Sequence, residues 1–134
     1  MTLSDASALI AIVDPRDHHH GRSRQAVRRL SKPLVTTWPC WTEALHRAYS
    51  IGAWHAQKVL WGLIQTETLR LYSIDQAEGR LLALMEKYRD TPMDLGDASL
   101  VVAAEVLGLT RIFTFDSDFQ VYRIYDRTPF EVVP

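Results

Sequence analysis

Apolar positions along the chain switch repeatedly between near-alternating and helical spacing, and each switch marks an element. A short apolar start, "MTLS", reads as a strand end feeding a helix over "DASALIAIV", capped near Asp5. "GRSRQAVRRL" sets Val27 and Leu30 against a basic face, an amphipathic helix. "PLVTT" is a brief β-type run closed by Trp38-Pro39. The helical stretches "WTEALHRAYSIG" and "AWHAQKVLWGLIQTE" follow, punctuated by Gly52. "LRLYSI" nearly alternates and reads as a strand, whereas "DQAEGRLLALMEKYRD" keeps helical spacing until Pro92. "PMDLGDASLVVAAEVLG" is apolar on almost every side beyond Asp94 and Asp97, which predicts a buried helix closed by Gly108. "RIFTF" is then a strand, "DSDF" a turn, and "VYRIY" and "FEVV" the final strands.

Short strands alternating with helices imply an α/β fold, with a mainly parallel, short-stranded sheet covered by helices. No linker, repeat or low-complexity stretch interrupts residues 1–134, so one domain is expected throughout. In such sheets ligands sit beyond the carboxyl ends of the strands. Asp5 follows the first strand, Asp116 follows "RIFTF", and Glu43 lies soon after "PLVTT", while Asp94 and Asp97 open the buried helix. Carboxylates from four separate segments are therefore deliverable to one edge of the sheet.

Composition narrows the class. Cys40 is the only cysteine, which excludes an internal disulfide and a cysteine-rich zinc site. No apolar run approaches the ~20 residues that span a bilayer, and the start lacks the features of a signal peptide, so a cytoplasmic location and no membrane partner are expected. Net charge is −1, but six of the fifteen Lys/Arg and three of the five His fall in residues 16–32, beside the single acid Asp17. Arg22, Arg28 and Arg29 of this arm are candidates for phosphate contact, and a solvated helix face would look the same.

Each candidate acid also has a purely structural reading. Asp94 and Asp97 have the spacing of a capping box; Asp94 is the better cap and Asp97, nearer the buried body, the better ligand. Asp5 suits an N-cap, Glu43 has an i,i+4 partner in Arg47, and Asp116 and Asp118 bracket a tight turn between the expected core anchors Phe115 and Phe119. His18, His19 and His20 are consecutive and point different ways, which favours a polar helix start over a metal site. Trp54 and Trp61, seven apart, suggest a packing seam or an oligomer contact. Cys40 lies near His46, but a lone cysteine beside tryptophan is a poor nucleophile candidate. No Gly-rich phosphate loop or G-x-S-x-G elbow is present. The D-x-D of "FTFDSDF" lies too late in the chain, and before the wrong residue, for a haloacid-dehalogenase-type phosphatase.

The order of these signals is more specific than any one of them. "DASALIAIVDPRDHHH", "TTWPCWTEALHR", "MDLGDASLVVAAEVLGLTRIFTFDSDF" and the closing "VYRI" together resemble the PIN domain, most closely the VapC-type toxin ribonucleases of toxin–antitoxin pairs, over essentially the whole chain. The resemblance implies a single PIN-like domain and an endoribonuclease dependent on Mg²⁺ or Mn²⁺. It puts Asp5, Glu43, Asp97 and Asp116 at the metal centre, with Asp94 and Asp118 as supporting acids. It further implies an RNA substrate, a cognate antitoxin and a homodimer. A hard cation with several retained waters suits such carboxylates. The alternatives are a housekeeping PIN nuclease in RNA processing and a non-catalytic RNA- or protein-binding module of the same fold. Two departures stand out: a first strand so short that a ragged start or frayed sheet edge is expected, and Gly96 where a better helix former would sit.

Overall fold

The computed structural model describes residues 1–134. Strand β1 (Thr2–Ser4) leads through α1 (Ala6–Val13) and α2 (His20–Arg29) to β2 (Leu34–Thr37). The long helix α3 (Trp38–Gln65) and strand β3 (Leu69–Tyr72) follow, then α4 (Glu78–Lys87) and α5 (Leu95–Leu107). Strand β4 (Arg111–Phe113), a 3₁₀ turn (Ser117–Gln120), β5 (Arg123–Ile124), β6 (Thr128–Pro129) and β7 (Glu131–Val133) complete the chain. The order β3-β2-β1-β4-β7 is parallel at every pairing, and β5 and β6 form a separate antiparallel ribbon. This is the α/β architecture that the alternating strands and helices imply.

Both faces of the sheet are covered, so alternate strand residues enter opposite cores. On β2, Leu34 packs with α1 and α3, whereas Val35 packs with α5; on β4, Phe113 and Ile112 divide the same way. Helix α5 is buried along its length, from Ala98 to Glu105, as its apolar surround predicts. Gly108 closes it in the left-handed region at φ 68°, where a glycine carries no Cβ penalty.

Four readings from sequence need correction. The first strand is neither ragged nor at an edge: β1 is the centre of the sheet and Thr2, Leu3 and Ser4 are all buried. Three residues suffice because neighbours on both sides share the ladder. The break in α3 falls at Gly52 and also at Ala53, whose φ of 49° and ψ of −139° lie in a region that favours glycine. "VYRIY" supplies only Arg123–Ile124, to the ribbon and not to the main sheet. The proposed tryptophan seam splits. Trp61 packs edge-on against buried Trp41 at 5.0 Å, while Trp54 is 56% exposed.

Candidate functional site

The chain builds β1, β2 and β3 outward in one direction and then returns to place β4 on the other side of β1. The crevice beyond the carboxyl ends of β1 and β4 is therefore a topological switch point, where α/β sheets leave room for ligands. Asp5 leaves the end of β1. It is 6% exposed and caps α1 by accepting from the Ala8 amide at 3.0 Å and the Ser7 hydroxyl at 2.7 Å. Its other oxygen accepts a hydrogen bond from Thr114 Oγ1, just past the end of the neighbouring strand β4. Asp116 is tied to the same threonine, its amide donating to Thr114 Oγ1 at 2.9 Å, while its Oδ1 accepts from the Asp118 amide and starts the 3₁₀ turn.

Asp94 and Asp97 form the complete capping box of α5: Asp94 Oδ1 accepts from the Asp97 amide at 2.8 Å, and Asp97 Oδ2 from the Asp94 amide at 3.4 Å. The structural and functional readings of this pair are thus not exclusive. Both acids sit at the positive end of an apolar helix, and Asp97 also accepts from the Tyr122 hydroxyl at 3.0 Å. Glu43 extends from the second turn of α3 into a hollow of about 600 Å³ that it shares with Trp38, Asp94 and Gly96. Arg47 lowers the pKa of Glu43 but forms no ion pair with it, contrary to the helix-pair reading. Gly96 has a reason that its helix propensity conceals. A Cβ there would lie 3.3 Å from Asp94 Oδ1 and 3.4 Å from Cys40 Sγ.

The acids sense one another. Burial holds the Asp5 carboxyl above the usual carboxylate range, against the donors around it, and Asp116 adds to the rise. Asp97 is pushed up to about 7, first by burial and then by the charge of Asp94, with Asp116 contributing. Desolvation, Asp94 and Asp116 raise Glu43, and desolvation and Asp116 raise Asp118. Six carboxylates from four segments thus form one field, yet no three converge tightly enough to ligate a single ion as placed. Asp5, Asp94, Asp97 and Asp116 instead accept from local donors. The donor set still fits a hard divalent cation. It offers only oxygens, and both Glu43 oxygens and Asp116 Oδ2 accept nothing from the protein.

Other candidates are sorted by the fold. His20 Nδ1 pairs with the Ala11 carbonyl at 2.8 Å, His19 lies flat on Phe115 with ring centroids 4.2 Å apart, and His18 meets His19 edge-on, so the three do not converge. Phe119 is a core anchor, but Phe115 is only half-buried and faces the arm. Arg22 stands 5.7 Å over the Phe115 ring. It borders both a hollow with Asp116 and a second one with Arg29, and Arg28 borders neither. Cys40 is buried, its thiol pushed up to about 12 by desolvation, which removes it as a nucleophile.

Sequence reasoning passed over Ser7, Thr114 and Tyr122. Thr114 stands in the T-x-D of the strand end, and a hydroxyl at that point of a buried strand signals a partner in need of a donor. Tyr122 carried no such signal, because only the fold brings it across 25 residues to Asp97.

A family model, the PIN domain, matches residues 2–125. No curated protein matches the chain. Among solved structures, Mycobacterium tuberculosis VapC20, described as a sarcin–ricin loop cleaving toxin, is similar with a TM-score of 0.82 and 14% identity, over 90% of this chain and 94% of that one. A toxin–antitoxin complex from Klebsiella pneumoniae is similar with a TM-score of 0.67 and 21% identity, over 89% and 90% of the two chains.

Proposed function

Because the chain belongs to the PIN-domain family, we propose that it is an endoribonuclease dependent on Mg²⁺ or Mn²⁺, the toxin of a VapBC-type pair that acts on RNA phosphodiester bonds. The observation that carries this reading is the shared electrostatic field of Asp5, Glu43, Asp97 and Asp116 at the switch point. A housekeeping nuclease would use the same site, and the likeness of fold to toxins favours the toxin reading. A cognate antitoxin as partner follows from that reading, as does a homodimer. Exposed Ile51 and Trp54, near the break in α3, offer an apolar surface for association.

Asp5, Glu43, Asp97 and Asp116 would hold the cation, with Asp94 and Asp118 in support. When bound, it would polarise the scissile phosphate and lower the pKa of an attacking water. The protein's own part is to aim the acids. Thr114 fixes one oxygen of Asp5, and the Ala8 amide and Ser7 hydroxyl fix the other. The Tyr122 hydroxyl orients Asp97 from the core side by donating to its Oδ2. The start of α5 adds its dipole to the same end. Substrate enters a crevice rimmed on one side by the arm carrying Arg22.

The test is cleavage of a structured RNA by the purified protein. Cutting should require Mg²⁺ or Mn²⁺, cease with EDTA and be lost in Asp97→Asn. RNA binding without cleavage at any metal concentration would leave only a binding module of this fold.

A further inference from the structure

We propose that a single-stranded segment of the RNA crosses the acid cluster between two unlike subsites: a phosphate clamp at Arg22 and a base-stacking shelf at Trp38. This rests on the nuclease reading and assigns the path of the substrate through that site. On the β4 side, Phe115 brackets two side chains, His19 stacked flat on its ring and Arg22 standing over it at 5.7 Å. The hollow they border with Gln120 contains Asp116. None of the ion pairs in the protein involves Arg22, so its donors remain free for an anion, and the aromatic ring limits the rotamer freedom such a grip must give up. A guanidinium kept beside a cluster of carboxylates, yet not paired with one, suits a ligand that brings its own negative charge past them. The positive lining continues toward Arg29 in the adjoining hollow.

Two strands away, Trp38 opens α3 directly beyond β2. It is 48% exposed, and its indole N–H donates to Ser73 Oγ at 2.9 Å. The only polar atom of the side chain is therefore satisfied, and the ring is pinned while bordering the hollow that holds Glu43 and Asp94. No basic residue lines that hollow, so no side chain there grips a phosphate, whereas a neutral base would stack. Base faces are open only in unpaired nucleotides, which makes the ligand single-stranded.

Cleavage of an unstructured RNA oligonucleotide in Mg²⁺, over a range of salt, tests the path. The same oligonucleotide annealed to its complement serves as comparison. For Arg22→Ala the loss should fall on KM, roughly tenfold, and the salt slope should shrink by about one. Arg22→Lys should keep the slope. Trp38→Ala should raise KM by about fivefold or more without changing the slope, and Trp38→Phe should recover most of the loss. The annealed RNA should be cut far more slowly. Both side chains are solvent-facing, and melting curves verify that the variants fold. Wild-type KM and slope in either alanine variant, or no recovery in Trp38→Phe, would overturn the path while the nuclease reading stands. A wild-type protein that cuts no RNA would remove both.

Discussion

The Tyr122 hydroxyl donates to Asp97 Oδ2 at 3.0 Å, joining the segment after the 3₁₀ turn to the first turn of α5. Burial and the charge of Asp97 raise the pKa of this phenol, so it stays a donor throughout the physiological range. Tyr122 itself is fully buried, edge-on to Tyr88 and Phe119. The contact therefore fixes a candidate ligand from the rigid interior rather than from a mobile loop. Tyr122→Phe keeps the packing and removes one hydrogen bond. It should cost about 1–2 kcal/mol in a urea melt and slow RNA cleavage without abolishing it. Cleavage as dead as in Asp97→Asn would mean that the phenol does more than orient.

The raised pKa of Asp97 makes the stability of the metal-free protein depend on pH. Its folded value of about 7 exceeds the unfolded 3.8, so the folded state holds the proton more tightly. That contribution is complete below pH 3.8 and disappears as pH rises through about 7. Asp5 and Glu43 shift in the same direction. In EDTA, Tm should therefore fall as pH rises across this window, and Asp97→Asn should flatten part of the fall. Mg²⁺ should raise Tm more at the upper end than at the lower, because the ion favours the deprotonated acids.

Glu105, the one other charge in the buried helix, is structural. Arg80 grips both its oxygens, at 3.0 and 2.8 Å, and the Tyr125 amide donates to it at 2.7 Å, tying α4 and α5 to the ribbon. Arg80 is partly exposed, which moderates the energetics. Glu105→Gln should cost about 1–3 kcal/mol, read as a lower chemical midpoint, while the folded fraction cuts RNA at the wild-type rate.

At the break in α3, Ala53 occupies a conformation that glycine adopts without strain. Ala53→Gly should raise Tm, by about 0.5–1 kcal/mol in stability, despite the greater freedom glycine gives the unfolded chain. A lower Tm would show that the Ala53 methyl contributes packing that outweighs its backbone strain.

Gly96→Ala sets helix propensity against space. Alanine favours the helix by about 1 kcal/mol, but its Cβ would crowd Asp94 Oδ1, which the Asp97 amide holds in place. Little net change in Tm is expected, with slower cleavage because Asp94 must give way. Wild-type cleavage would show that the acids at this end tolerate displacement.

Much of this protein is legible in the chain itself. Helical spacing, the Asp94–Asp97 box and Gly108 define α5, because caps and amphipathic periods are local physics that adjoining residues settle among themselves. Strand ends likewise mark Asp5 and Asp116 as acids beyond the carboxyl ends of their strands. Tertiary structure alone decides what lies at long separation. It makes β1 the centre of the sheet, although three residues carry no mark of rank. It brings Thr114 to Asp5 and Tyr122 to Asp97, splits Trp54 from Trp61, and sets Arg22 over Phe115. Side-chain hydroxyls and guanidinium groups find partners through the packing of whole elements, and no period along the sequence encodes which element will arrive beside them.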